Sequence, residues 1–421
     1  MENLRSSWFR SQRGCAAPLA EWLFLFFLLS RVAATGQPLL EKIDLFEANK
    51  GQYAHYRIPG IVVTSKGTLL AYCEARKSTR GDWGTIDILL RRSTSGGKTW
   101  EPERKIVTPP AHVSKNPVAL KQNLASAEEV TVNNPVAIVD HQTGAIHFLY
   151  CIEYARCFYM RSDDDGKTFT EPVEITATFE KFRPEYDWKV IATGPGHGIQ
   201  LKNGRLIVPV WLSTGTGGHA HRPSIVSVVY SDDHGKTWKR SDTVPDTYQN
   251  QSETVTVQLQ NGPVLLNMRN ESPEHRRAIS ISADGVSQWS QPVLQPDLLE
   301  PICMGSIIRV TAQPEFRKSR IIFANPDNLE ATRRRGPQDI NKDRKNLTIK
   351  LSYDEGKSWP VSRVLEPGLS AYSDLTVGPD KMMYCFYERV GVNENMYNPR
   401  YLTLARFNLE WLTEGRDQLD Q

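Results

Sequence analysis

Cysteine is scarce in this chain, with six in 421 residues, too few for a disulfide scaffold. Long apolar runs are missing as well. The apolar stretch at residues 22–29 has eight residues, far short of the ~20 that a membrane-spanning helix needs. Charge of one sign is not in excess: 51 Lys plus Arg against 48 Asp plus Glu leaves +3. Such a balance argues against a protein that coats nucleic acid or another polyanion. There is no Cys-x-x-Cys and no His-Glu-x-x-His. Two glycine-rich stretches lack what a phosphate loop requires. Gly194-Pro195-Gly196-His197-Gly198 contains proline and runs into the strand-like Ile199-Gln200-Leu201. Gly215-Thr216-Gly217-Gly218 is followed by no Lys-Ser/Thr. His219-Ala220-His221 would put two imidazoles on one face if extended, yet no third ligand pattern accompanies it, so no metal is expected there. The basic run Arg333-Arg334-Arg335 reads as a solvated loop, or as the rim of a site.

Turn formers and aromatics are plentiful. Gly (28) and Pro (26) together with 10 Trp and 15 Tyr favour a turn-rich β protein over a helical bundle. The N-terminus has the parts of a secretory signal: Arg5, Arg10 and Arg13, then the apolar stretch, then small residues at Val32, Ala33 and Ala34. An uncleaved anchor is the competing reading, and membrane contact is expected only in that case. Cleavage after Ala34 would remove four Arg and two Glu, taking the charge from +3 to +1. It would also remove Cys15 and leave Cys73, Cys151, Cys157, Cys303 and Cys385, an odd number. At least one thiol is then free or paired with another chain. Residues 1–34 are thus read as a signal and 35–421 as one domain, working outside the cytoplasm as a secreted, periplasmic or lumenal protein, the lysosome included. Asn250, Asn270 and Asn346 each head an Asn-x-Ser/Thr triplet.

One octapeptide recurs: Ser162-Asp-Asp-Asp-Gly-Lys-Thr-Phe169, Ser231-Asp-Asp-His-Gly-Lys-Thr-Trp238 and Ser352-Tyr-Asp-Glu-Gly-Lys-Ser-Trp359. Ser93-Thr-Ser-Gly-Gly-Lys-Thr-Trp100 is a variant and Ser282-Ala-Asp-Gly-Val-Ser-Gln-Trp289 a degraded copy. Their starts are separated by 69, 69, 51 and 70 residues. The third-position Asp can accept hydrogen bonds from nearby backbone N–H groups. The fifth-position Gly can take a positive φ without steric cost. The terminal aromatic supplies a wedge to bury between units. With strand-like flanks such as residues 224–230 and 347–351, the unit is a hairpin in a four-stranded sheet repeated every 50–70 residues. That predicts an all-β propeller of about six blades. Strand-like patterns at both ends suggest that residues 40–46 pair beside 402–407 and close the ring. The run Asp163-Asp164-Asp165-Gly166 is flanked by strands, so it does not read as a calcium-binding EF-hand loop.

These octapeptides resemble the Asp boxes of the sialidase (neuraminidase) superfamily. Tyr56-Arg57-Ile58-Pro59, upstream of the first box, is similar to the Phe/Tyr-Arg-Ile-Pro motif of the exo-α-sialidases. The resemblance spans about residues 45–408 and implies a six-bladed propeller with its site on the face opposite the Asp-box turns. It also implies a set of site residues. Arg57, Arg269 and Arg344 would bind the substrate carboxylate. Tyr372 would be the nucleophile and Glu253 its base, and Asp82 the acid/base. Glu388 would orient Arg57, and Glu74 and Arg76 would stand behind the site. The spacings agree: Asp82 lies 25 after Arg57, Glu253 16 before Arg269 and Arg344 28 before Tyr372.

Those residue types suit the chemistry that the family performs. Sialic acid carries a carboxylate on its anomeric carbon, and planar guanidinium groups offer it paired, charge-assisted hydrogen bonds. A carboxylate nucleophile would be repelled there, whereas a neutral phenol is not. With an ordinary pKa of ~10 the phenol needs a base beside it. The expected activity is that of a glycoside hydrolase releasing terminal α-linked sialic acid from glycoproteins, oligosaccharides or gangliosides. It would proceed with net retention and needs neither cofactor nor metal. Trans-sialidase chemistry would use the same residues, and a non-catalytic Asp-box propeller that binds sialosides or a protein partner is the alternative from another class.

Overall fold

In a computed structural model the described residues are 36–335 and 343–419. The signal expected over residues 1–34 lies outside them. The described chain is built almost wholly of antiparallel strands joined by short turns, with four helices of five or six residues. No described helix is long and apolar enough to cross a membrane.

Four sheets follow one another along the chain. The first contains His55–Val63, Leu69–Arg76, Ile86–Ser93 and Arg104–Lys105. The second runs from Val132–Val139 through Ile146–Ile152 and Arg156–Ser162 to Val173–Glu174, with Gly196–His197 added in parallel to its inner strand. The third is centred on Leu206–Ser213 and Ser224–Ser231. The fourth runs from Thr254–Gln258 to Val293–Leu299. A last sheet has seven strands in one hydrogen-bonded path, because the 17-residue strand Val361–Val377 serves two neighbours. Its first half pairs with Lys345–Ser352 and its second half, from Ser370, with Met383–Val392. Dividing the path at that strand is what yields a count of six units.

Leu40–Glu47 closes the last sheet by pairing antiparallel with Asn395–Phe407, from Leu40 opposite Phe407 to Glu47 opposite Tyr401. The sequence placed this pairing correctly. Lys42 adds an ion pair to Glu366, and Asp44 accepts from Arg389 and Thr403.

Apolar clusters fill the spaces between sheets, and each octapeptide aromatic enters a different one. Trp238 packs with Phe179 and Phe182, Trp289 with Val264 and Leu266, and Trp359 with Phe323. Trp100 and Phe169 pack against two further clusters. The turn itself behaves as its residues dictate. Asp164, Asp233 and Asp354 each accept from the backbone N–H four residues on, at 2.9 Å in every case. Gly166, Gly235 and Gly356 have φ of 73°, 80° and 82°. The first-position serine closes the turn by accepting from that glycine's N–H, at 2.9, 2.9 and 2.8 Å.

The fourth position carries a job that the sequence did not reveal. Asp165 accepts from Thr64 and Thr68, His234 binds Asp140, and Glu355 accepts from the Gln260 N–H. Each contact reaches the loop after the inner strand of another sheet. Those loops lie at one end of strands whose opposite ends carry Arg57 and Glu253. The box turns and the candidate site therefore occupy opposite faces.

Candidate active site

A cleft of about 320 Å³ is lined by Arg57, Asp82, Glu253, Arg269, Arg344 and Tyr372, six of the residues singled out in the sequence. Each reaches it from a different strand, strand end or loop. Arg57 lies in an inner strand, Asp82 in the loop between Leu69–Arg76 and Ile86–Ser93, and Glu253 immediately before Thr254–Gln258. Arg269 directly follows Val264–Met268, and Arg344 directly precedes Lys345–Ser352. Tyr372 is in the second half of the 17-residue strand.

Tyr372 is buried, and its hydroxyl lies 2.7 Å from both carboxylate oxygens of Glu253. Arg269 Nη1 donates to the same hydroxyl at 2.8 Å and also to Glu253. Burial, followed by the Glu253 charge, pushes the phenol well above its ordinary pKa of 10.0, while Arg269, Arg344 and Arg57 oppose the shift. The tyrosine is a neutral phenol hydrogen-bonded to Glu253. Arg57 and Arg344 face its ring, with guanidinium carbons 4.8 and 5.3 Å from the centroid, where a cation favours extra electron density on the ring.

Glu388 joins two parts of the site. Fully buried, it accepts from Arg57 Nε at 3.0 Å, from the Ile58 N–H at 3.1 Å and from the Tyr372 N–H at 3.3 Å. Ile58 has φ 57° and Ile302 has φ 54°, a costly conformation for a β-branched residue. The Ile58 N–H is held by the carboxylate that orients Arg57, and the Ile302 carbonyl accepts from Arg344 Nη2 at 2.7 Å. Both strained residues thus serve an arginine.

Arg344 Nε and Nη1, and Arg269 Nε, are buried donors with no hydrogen-bond partner among the described residues. Leaving such donors unpaired is expensive unless an anion completes them. Arg344 is set in place from behind. Its neighbour Asp343 accepts from Asn328, from the Ala331 and Thr332 N–H groups and from the Thr332 hydroxyl, at the start of helix Glu330–Arg335. The arginine run at 333–335, read from the sequence as a loop, instead ends that helix along its backbone, and the placement of its side chains lies outside the described residues.

Asp82 is a third exposed (33%) and faces Arg76 Nη1 at 2.8 Å and Arg57 Nη1 at 3.7 Å. Burial would raise its pKa, but Arg76, Arg57 and His221 outweigh burial and hold the carboxyl far below the ordinary 3.8. Arg76 is itself paired with the buried Glu74, whose other oxygen accepts from the Asn134 N–H at 2.9 Å. Glu74, Arg76 and Glu388 are therefore brought in behind the cleft wall.

Sequence reasoning missed the remaining walls. His219 and His221, set aside as a metal pair, line the cleft from a turn, with ring centres 5.2 Å apart. His221 packs among Trp83, Tyr154 and Trp211 at 5.7, 5.0 and 5.1 Å, and burial pushes its pKa down to about 4. Arg222 and Asn250 hold the two oxygens of Glu271 at another part of the wall. Tyr397 faces Arg344 at 4.8 Å. The Asn250 triplet was a detectable signal, yet it pointed to a glycan acceptor and gave no hint of the cleft. Cys73, Cys151, Cys157, Cys303 and Cys385 are all buried free thiols.

The family described as BNR repeat-like domain matches residues 67–385. A sialidase from Micromonospora viridifaciens is 30% identical over 408 residues, covering 90% of this chain and 55% of its own length. One from Bacteroides fragilis is 29% identical over 355 residues, covering 79% of this chain and 59% of its own length. The chain thus spans little more than half of these two relatives. Among solved structures, a Hadza microbial sialidase aligns with a TM-score of 0.70 at 27% identity, over 88% of this chain and 69% of that one. Family match, relatives and solved structure agree with one another, and the chain belongs to the BNR repeat-like domain family of the exo-α-sialidase superfamily.

Proposed function

We propose that this protein is an exo-α-sialidase that removes terminal α-linked sialic acid from glycoconjugates with net retention. The observation that carries the reading is the Tyr372 hydroxyl held between Glu253 and Arg269, beside buried arginine donors that have no partner. The substrate carboxylate would fill those donors. Glu253 would take the phenol proton as the Tyr372 oxygen bonds to the anomeric carbon, and Asp82 would give a proton to the departing oxygen. Water, giving a proton to Asp82, would then attack the anomeric carbon and break its bond to the Tyr372 oxygen, to which Glu253 returns the proton it took.

Arg76 and Arg57 favour the ionised form of Asp82, so its acid role needs a change on binding. A bound carboxylate beside Arg57 neutralises part of the positive field that Asp82 feels and lets it take up a proton. Hydrolysis, in preference to sialyl transfer, is part of the proposal, as is action outside the cytoplasm after removal of residues 1–34.

The test is fluorescence release from an aryl α-sialoside across pH 4–8, comparing wild type with Tyr372→Phe. Turnover by wild type and collapse in the variant is the expected result. Two folded proteins with binding and no turnover would make the propeller a sialoside-binding module. NMR of the first sugar released should show the α-anomer. Product formed on added lactose in place of free sialic acid would point to transfer.

A further inference from the structure

Lys115 lies outside the cleft and is buried, with its side chain 1% exposed. An ammonium group in that position loses its hydration and has to find every partner inside the protein. Lys115 Nζ has four: the Trp83 carbonyl at 2.7 Å, Thr131 Oγ1 at 2.9 Å, the Glu129 carbonyl at 3.1 Å and the Glu153 carboxylate at 3.1 Å. The Thr131 hydroxyl also lies 2.9 Å from the Trp83 carbonyl and 2.8 Å from that of Gly84. Glu153 is held in turn by the Thr131 N–H at 2.7 Å and the Asn116 N–H at 3.4 Å.

The two peptide carbonyls gathered here follow Asp82 directly in the chain. From the other side, the Trp83 ring rests on Tyr154 at 4.5 Å, and Tyr154 is the neighbour of Glu153. Glu153 and Tyr154 have φ of 58° and 48°, a strained pair at the tip of one hairpin. That hairpin therefore supplies both the counter-ion beneath the Asp82 loop and the ring beside it. A buried ion pair is a weak stabiliser compared with apolar packing of similar volume, so its place here calls for a positional reason.

We infer that Lys115, with Glu153 as its counter-ion, is a positioning residue for Asp82: it holds the Trp83 carbonyl directly and the Gly84 carbonyl through the Thr131 hydroxyl, and thereby sets where the Asp82 carboxyl meets the leaving oxygen. The inference rests on the reading of Asp82 as the acid. Its signature is selective. A phenol departs with little help from an acid, whereas a sugar alkoxide needs the proton. A misplaced Asp82 therefore harms one substrate class and spares the other.

The experiment compares kcat/KM on 4-nitrophenyl α-sialoside and on sialyllactose for wild type, Lys115→Met, Thr131→Val and Asp82→Ala. Thr131→Val keeps the ion pair and removes only the hydroxyl, so it reports even where Lys115→Met fails to fold. Lys115→Met should lose about 10- to 100-fold on sialyllactose, part of the ~10²- to 10⁴-fold that general-acid catalysis contributes, and about threefold or less on the nitrophenyl substrate. Thr131→Val should show the same pattern with a smaller loss. Equal losses on both substrates, or none, in folded variants would overturn the inference while Asp82→Ala keeps its own selective loss. An Asp82→Ala variant that loses equally on both would remove Asp82 as the acid, and the inference with it.

Discussion

Arg344 is the arginine of the cleft whose guanidinium has two buried N–H groups without a partner among the described residues. Charge-assisted hydrogen bonds contribute about 1.5–3 kcal/mol each, so losing two from the bound complex is worth about 3 kcal/mol or more. Arg344→Met should lower kcat/KM by about 100-fold, chiefly through KM, since the carboxylate is bound in ground state and transition state alike. Tyr372→Phe should instead lower kcat, by roughly a thousandfold, while the folded protein still binds a sialic acid analogue in calorimetry. Comparing the two variants on one aryl sialoside checks both expectations. At this scale the sequence was legible where a residue was tied to a motif or to a spacing. Arg57, Asp82, Glu253, Arg269, Arg344 and Tyr372 line one cleft. His221, Glu271 and Tyr397 escaped because they come from turns and strand ends whose distance in sequence from the motifs obeys no rule. Lys115 escaped because an isolated lysine in a polar stretch looks solvated until the fold buries it.

The hairpin turns are elements whose stability depends on charge. Burial alone would raise the Asp233 pKa, but the Thr237 hydroxyl and N–H and the Ser231 hydroxyl bring it from the ordinary 3.8 down to about 2. A carboxyl whose pKa is depressed in the folded state stabilises the fold above its unfolded value and loses that contribution as pH falls through the folded one. Asp233→Ala should therefore lower the melting temperature by a few degrees at pH 7, about 1–2 kcal/mol for the lost bonds. The gap from wild type should narrow below pH 4 and shrink further as pH falls through about 2. A gap constant over that range would show that the carboxylate charge is not what holds the turn. Asp, Gly and the aromatic at fixed positions made these elements readable in the sequence. The fourth-position contacts were not readable, because Asp165, His234 and Glu355 share no chemistry beyond reaching a neighbouring loop.

Closure is a property of the whole molecule. Removing residues 38–47 would strip the outer partner from Asn395–Phe407 and expose the apolar surface that Leu45 and Phe46 cover. The deletion should lower the melting temperature of the entire domain in one cooperative transition. An unchanged melting temperature would mean that the two ends do not hold the ring together. The same pairing bears on the order in which the protein can be made. The strand at 40–47 leaves the ribosome long before the strand at 395–407 that it must meet, and Arg57 waits for Glu388 across 331 residues of chain. Contacts that distant in sequence form late and slowly. Until residues 388 to 407 have been made the nascent chain holds an unclosed ring and an unoriented arginine, so a chain halted short of residue 388 has most of its sheets and still lacks an assembled cleft.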